Sequence, residues 1–303
     1  MRKVKVVLPA TVTNLGPGIN SLALALGLHT TVEVIERGDE SFTVETSGEG
    51  AGAYSVGLRH PVALGLARVF QQMERSPNGL AVRVSSEIPP ASGLGSEAAF
   101  LVAGVVAANN LLGSPFNREQ MISIAAQLCR RADHAVGAIL GGLSASLLDG
   151  ERVIYRALPI QSMPVAVVFP DLPDYPAHAA LPDRVPMANA FYSLARLPLV
   201  TEAFRLNDLK LLAEALDDRL IAPTRRTAIP GWDSVVTAAR TSGASAISLC
   251  GDGPSLIAFA PTSADHRQIA NAMVRAFAEA SVKARGWVTQ VDTQGVVISV
   301  AQS

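Results

Sequence analysis

Residues 88–99 read Ile88-Pro89-Pro90-Ala91-Ser92-Gly93-Leu94-Gly95-Ser96-Glu97-Ala98-Ala99, and an apolar, alanine-rich run then extends to Leu112. Proline fixes φ and removes a backbone donor, so the proline pair ends the strand-like alternation of Leu80 to Ser85. Gly93 and Gly95 carry no Cβ and let the backbone turn and approach another group closely. Ser96 is a suitable N-cap for a helix over the apolar run. The first turn of such a helix offers unpaired N–H groups and a positive dipole end. A glycine-rich turn feeding a helix tip is therefore an anion site, and phosphate is its usual occupant. The string is neither a Gly-Lys-Ser/Thr phosphate loop nor a dinucleotide fingerprint. A plain cap after a tight turn is the competing reading.

The 303 residues suffice for a substantial core, in two domains by length. With 49% hydrophobic and 17% charged residues the chain is of the folded class. A net charge of −1 gives no electrostatic case for nucleic acid. No apolar run reaches the length of a membrane span, and the run after Arg2 and Lys3 is too short for a signal peptide. Cys129 and Cys250 form neither a disulfide framework nor a metal cluster. The expected location is the cytoplasm.

Pro9 to Asn20, rich in Gly, Pro and small polar residues, reads as a side-chain-presenting loop, with Leu22 to Leu26 returning as buried structure. Strands are expected over Thr30–Arg37, Ser41–Thr46, Leu80–Ser85, Gly150–Ala157, Met163–Phe169, Ala246–Leu249, Leu256–Phe259 and Val296–Val300. Helices are expected over His60–Met73, Asn117–Arg131 (capped by Asn117), Met187–Ala195, Leu199–Leu206, Leu209–Asp218 and Asp265–Arg285. The linker-like stretch Leu158–Ser162 divides the chain into residues 1–160 and 161–303.

Three strings together carry a resemblance. Pro9-Ala10-Thr11, followed by Asn14-Leu15-Gly16-Pro17-Gly18, resembles the first signature of the GHMP kinases on their homoserine kinase branch. The 88–99 string resembles the family's phosphate loop, and Gly251-Asp252-Gly253-Pro254-Ser255 its third motif. The resemblance implies an α+β fold with a ribosomal-protein-S5-domain-2-like N-terminal domain, a ferredoxin-like C-terminal domain, and ATP with Mg²⁺ in the cleft between them. It implies phosphoryl transfer to the hydroxyl of L-homoserine, giving O-phospho-L-homoserine for threonine synthesis, and a homodimer by analogy. Pro90, Ala91, Ser92, Gly93, Leu94, Gly95, Ser96, Glu97, Ala98 and Ala99 fall on the ATP-binding loop. Asn14, with Thr11 nearby, helps place the acceptor, and Asp133 orients its hydroxyl or takes its proton. Arg225, within Asp218-Arg219 to Ile229-Pro230, falls on the arginine that holds the substrate carboxylate. Asn20, His134, Gly251 and Gly253 fall on further acceptor positions.

The departures bear on metal and acceptor. Glu97 stands where the family has Ser, Cys129 where it has a magnesium-binding Glu, and Arg131 where it has His. A carboxylate is a competent Mg²⁺ ligand, so Glu97 is the candidate metal residue. Repulsion of the phosphates by the same carboxylate is the alternative. Asn20 replaces the family's Asp partner of the substrate ammonium, and His178 falls where a second carboxylate-binding Arg is usual. Three readings stay open: a homoserine kinase, a sister kinase for another small alcohol, and a silent nucleotide- or metabolite-binding homologue.

Overall fold

The computed structural model describes residues 2–176 and 184–302, so His178 lies outside the described residues. The N-terminal half runs β1 (Arg2–Leu15), β2 (Gly18–Glu36), β3 (Phe42–Gly48), α1 (Pro61–Gln72), β4 (Leu80–Ser86), α2 (Ser96–Leu111), α3 (Arg118–Cys129), α4 (Ala132–Leu140), β5 (Leu143–Asp149) and β6 (Arg152–Leu158). There follow β7 (Pro164–Pro170), α5 (Met187–Leu206), α6 (Leu209–Ala215), α7 (Ala222–Arg226), α8 (Trp232–Thr241), β8 (Ala246–Leu249), β9 (Leu256–Phe259), α9 (His266–Glu279), β10 (Ala284–Gln290) and β11 (Val297–Gln302).

The first sheet has the order β11-β1-β2-β4-β3, with β5 and β6 continuing from β2. Alternation sets its faces: Val4, Val6 and Leu8 are fully buried while Lys5 is exposed. Pro9 to Asn20 is not a loop but the tip of a long β1–β2 hairpin, in which Ala10, Thr11, Val12 and Thr13 still pair with Leu26, Ala25, Leu24 and Ala23. Irregular register at Pro9/Ala10 and Thr13/Leu15 absorbs the residues that look loop-like. Positive φ at Asn14 (54°) and Asn20 (52°) bends the tip without ending the ladder.

The second sheet has the order β10-β7-β9-β8, antiparallel throughout. Numbering its strands along the chain gives 4-1-3-2 with helices between, the ferredoxin-like arrangement. Its two faces are separated residue by residue. Val165, Val167, Ile257 and Phe259 enter a core shared with the hairpin tip, α5 and α6, whereas Ala166, Val168, Leu256 and Ala258 pack under α8 and α9. β11 leaves this sheet and pairs with β1, so the chain segment after residue 160 contributes one strand to the first sheet.

Other boundaries differ from expectation for local reasons. α5 is one helix through Pro198, not two. The carbonyl that a proline releases belongs to the residue four earlier, here Leu194, which is solvent-facing and can bond to water. The helix expected to reach Arg285 ends at Glu279, and Arg285 lies on β10, hydrogen-bonded along β7. α3 begins as expected, with Asn117 and Gln120 forming a reciprocal capping box.

α2 organises the first half. It is buried on nearly all sides, as its uniformly apolar sequence requires. Leu94 and Ala99 pack into the core shared with the second sheet, and Phe100 and Val102 into the core of the first. The N-terminal tip of α2 therefore lies where the two cores meet. Among the described residues, no helix is long and apolar enough to cross a membrane.

Candidate active site

The loop before α2 is held from two sides. The Thr11 N–H donates to the Leu94 carbonyl at 2.9 Å, tying the loop to the hairpin. The Ser255 N–H donates to the Ser92 carbonyl at 3.3 Å, tying it to the turn between β8 and β9. Ser92 closes the bend itself, with Oγ donating to the Pro89 carbonyl at 2.7 Å. Gly93 (φ 85°) and Gly95 (φ 77°) are both left-handed, and neither has room for a side chain. A Cβ on Gly93 would collide with the Cys250 carbonyl and lie 2.7 Å from the Gly253 nitrogen. A Cβ on Gly95 would collide with Thr11 Oγ1 and lie 3.0 Å from His134 Nδ1.

Gly95, not Ser96, is the N-cap of α2; Ser96 is the first helical residue. Glycine offers no capping side chain, so the N–H groups of Ser96, Glu97 and Ala98 find no acceptor among the described residues. These are the orphan donors that make a helix tip an anion site. The Ser96 hydroxyl accepts instead from the Tyr54 hydroxyl at 3.0 Å. Tyr54 in turn packs edge-on against Phe100, with ring centroids 4.9 Å apart.

Against this loop the fold assembles Thr11, Thr13, Asn14, Arg131, Asp133, His134, Arg225, Gly251 and Asp252. Arg131 follows the left-handed Arg130 at the end of α3 and caps α4 in an extended conformation. Its guanidinium donates to both oxygens of Asp133, at 3.1 Å and 2.5 Å. It also donates to Thr13 Oγ1 and Asn14 Oδ1, each at 3.1 Å, and pairs with Asp252. Asp133 is fully buried, and Oδ1 accepts from the His134 N–H as well, at 2.9 Å. His134 Nδ1 lies 2.7 Å from Thr11 Oγ1. Burial pushes the His134 imidazole below its ordinary value, which favours the neutral ring at pH 7.

Arg225 is positioned by Asp218, whose carboxylate accepts from the N–H groups of Leu220, Ile221 and Ala222, each at 2.8 Å, at the start of α7. Arg225 donates to the Gly251 carbonyl at 2.5 Å and pairs with Asp252. Asp252 also accepts from Asn14 Nδ2 at 2.9 Å. Burial acts to raise the Asp252 carboxyl, and the guanidinium groups of Arg131 and Arg225 outweigh it and hold it below the ordinary value. Asn20 reaches the cluster only through its N–H, which donates to Asn14 Oδ1 at 2.9 Å; its residue is exposed.

Glu97 is exposed on the first turn of α2, close enough for its charge to act on Tyr54 and Cys129. Burial pushes the Cys129 thiol up to about 12, with the negative charges of Asp133 and Glu97 adding to the rise. A protonated thiol is no ligand for a hard cation. Among the described residues no group of three metal-ligating side chains forms. Mg²⁺ commonly needs only one or two carboxylates, with nucleotide phosphates and water completing its shell. The exposed Glu97 carboxylate beside the α2 tip fits that demand.

Three participants carry no local sequence signal for their part in the cluster. Tyr54 is a lone aromatic in a glycine-rich stretch, and nothing local marks it. Arg131 was read only as a departure, and Asp252 only as the variable residue of a glycine turn. The charge pairing joins residues 121 positions apart, which no local pattern displays.

Comparison with known proteins places the chain in a family. Residues 62–148 match the GHMP kinases N terminal domain and residues 200–279 the GHMP kinases C terminal family. The homoserine kinase of Moorella thermoacetica is 35% identical over 280 residues, covering 91% of this chain and 93% of its own. That of Gloeobacter violaceus is 34% identical over 297 residues, covering 96% and 97%. The crystal structure of homoserine kinase from Cytophaga hutchinsonii superposes with a TM-score of 0.85 over 98% of this chain and 97% of its own, at 24% identity. With both family domains matched in order and near-full-length relatives above 30% identity, the chain belongs to the GHMP kinases, in the homoserine kinase family.

Proposed function

We propose that the protein transfers the γ-phosphoryl group of ATP to the side-chain hydroxyl of L-homoserine, giving O-phospho-L-homoserine. One observation carries the reading: the unpaired N–H groups at the α2 tip sit on a loop bonded directly to the strand that bears Thr11, Thr13 and Asn14. Phosphoryl transfer asks mainly for positioning and charge neutralisation. The backbone N–H groups from Gly93 to Ala98 hold the ATP phosphates. Asn14 and Thr11 orient the acceptor, and Arg225 receives its carboxylate. Asp133 holds Arg131 in place, because both of its oxygens are already engaged in the buried pair. No dedicated base is needed, since holding the groups in line supplies about 7–11 kcal/mol in favourable cases.

Glu97 is the residue that holds Mg²⁺, which when bound neutralises the phosphate charge. Glu97→Gln is expected to raise the Mg²⁺ concentration for half-maximal turnover by about 10-fold or more, since even supporting groups cost a metal site that much. An unchanged Mg²⁺ dependence removes Glu97 from the site. Tighter ATP binding in the variant shows instead that Glu97 only repels the phosphates.

ADP release with L-homoserine, ATP and Mg²⁺ tests the reaction, and turnover is the expected result. The cavity beside Arg225 measures only about 20 Å³, room for about one water, so the acceptor enters by opening the cluster. The uncharged, exposed Asn20 favours a second reading, in which another small alcohol is the acceptor. Turnover with such an alcohol and none with homoserine selects it; ATP binding without any turnover selects a silent homologue.

A further inference from the structure

Asp252 is the most exposed member of the charge cluster, ahead of Arg131 at 19%. Its side chain is 29% exposed, against 9% for Arg225 and 0% for Asp133. One oxygen pairs with Arg225 and the other with Arg131. Arg225 spends its remaining described contact on the Gly251 carbonyl. The guanidinium read as a carboxylate clamp is thus already occupied by a carboxylate of the same chain. Arg131 matters here because Asp252 can leave Arg225 and remain paired. Two arginines and two aspartates balance, so an incoming carboxylate that takes Arg225 leaves one Asp252 oxygen without its cation and the cluster with an excess negative charge. A zwitterion also brings the cation.

We infer that the Arg225–Asp252 ion pair is a latch specific for zwitterionic α-amino acids: the carboxylate of the ligand takes Arg225 and its ammonium takes Asp252. This rests on the reading of Arg225 as the acceptor clamp. Asp252 then supplies the anion that the uncharged Asn20 does not, from the opposite side of Asn14. Position 252 sets selectivity, by exchanging one internal ion pair for two to the ligand.

Calorimetry without ATP tests the latch with L-homoserine, 4-hydroxybutanoate (carboxylate alone) and 3-aminopropan-1-ol (ammonium alone). In the unmodified protein homoserine is expected to bind at least about tenfold more tightly than either, the least that one charge-assisted hydrogen bond is worth. Equal binding of either single-charge molecule overturns the inference. In Asp252→Asn the preference for homoserine over 4-hydroxybutanoate is expected to fall about tenfold, by the same measure, and Asp252→Glu to retain it. Asp252→Ser replaces the Asn variant if that one does not fold. An unchanged preference in the neutral variant overturns the latch while leaving homoserine phosphorylation intact. The expected preferences without phosphorylation overturn the proposed reaction and leave the latch standing. No binding of homoserine at all overturns both.

Discussion

Gly93→Ala is expected to cost the fold about 2–5 kcal/mol and to abolish nucleotide binding. Part of the cost is the left-handed backbone, about 1–2 kcal/mol for a residue with a Cβ. The rest is overpacking, about 1–3 kcal/mol where atoms cannot retreat. The atoms in the way are the Cys250 carbonyl and the backbone of Gly253, not the ends of flexible side chains. Relief therefore requires the β8–β9 turn to move off the loop, which breaks the Ser255-to-Ser92 hydrogen bond and unseats the donors at the α2 tip. Gly113→Ala is the control: Gly113 is also left-handed (φ 86°) but has open space around it. Urea unfolding of both variants separates the two contributions. Equal losses would show that the turn yields freely and that the loop is not clamped.

Arg131→Met is expected to destabilise by about 3–5 kcal/mol, because it leaves Asp133 as an uncompensated buried charge. The carboxylate has no exposure to water, and the His134 N–H is its only other described partner. Adding Asp133→Asn to the same chain should recover most of that loss, since removing both members of a buried pair is far less costly than removing one. Denaturant unfolding of the single and double variants checks this. A single-variant loss below about 1 kcal/mol, the scale of an exposed pair, would mean that Asp133 is supported elsewhere.

What could be read from the chain was what is written locally. The capping box at Asn117, the alternation of β4 and the glycine string before α2 each depend on neighbours within a few residues. The hairpin tip resembles a loop in sequence because bulges and positive-φ asparagines require the same residues as loops do. The two helices expected on either side of Pro198 are one, and the exposure of Leu194, whose carbonyl the proline releases, is not written in the sequence. β10 was hidden at the end of an expected helix, since only its partner β7, more than a hundred residues earlier, makes it a strand. In the candidate site, the resemblance picks out the glycine loop before α2, Asn14 and Arg225, and the structure brings Asn14 and Arg225 together at Asp252. That Arg225 meets an internal carboxylate was not legible, because that fact belongs to the three-dimensional meeting of α3, α7 and the β8–β9 turn.

β11 closes the outer side of β1 from Arg2 to Val7. On the ribosome, β1 emerges some three hundred residues before the strand that covers it. Throughout that interval its outer rim is a row of free amide and carbonyl groups, the template on which chains stick to one another. Lys3 and Lys5 sit within that rim, and lysine is a residue that deters such sticking. In the finished molecule Lys3 also pairs with Glu33 on β2 at 2.9 Å, so its charge serves the folded sheet as well as the bare rim.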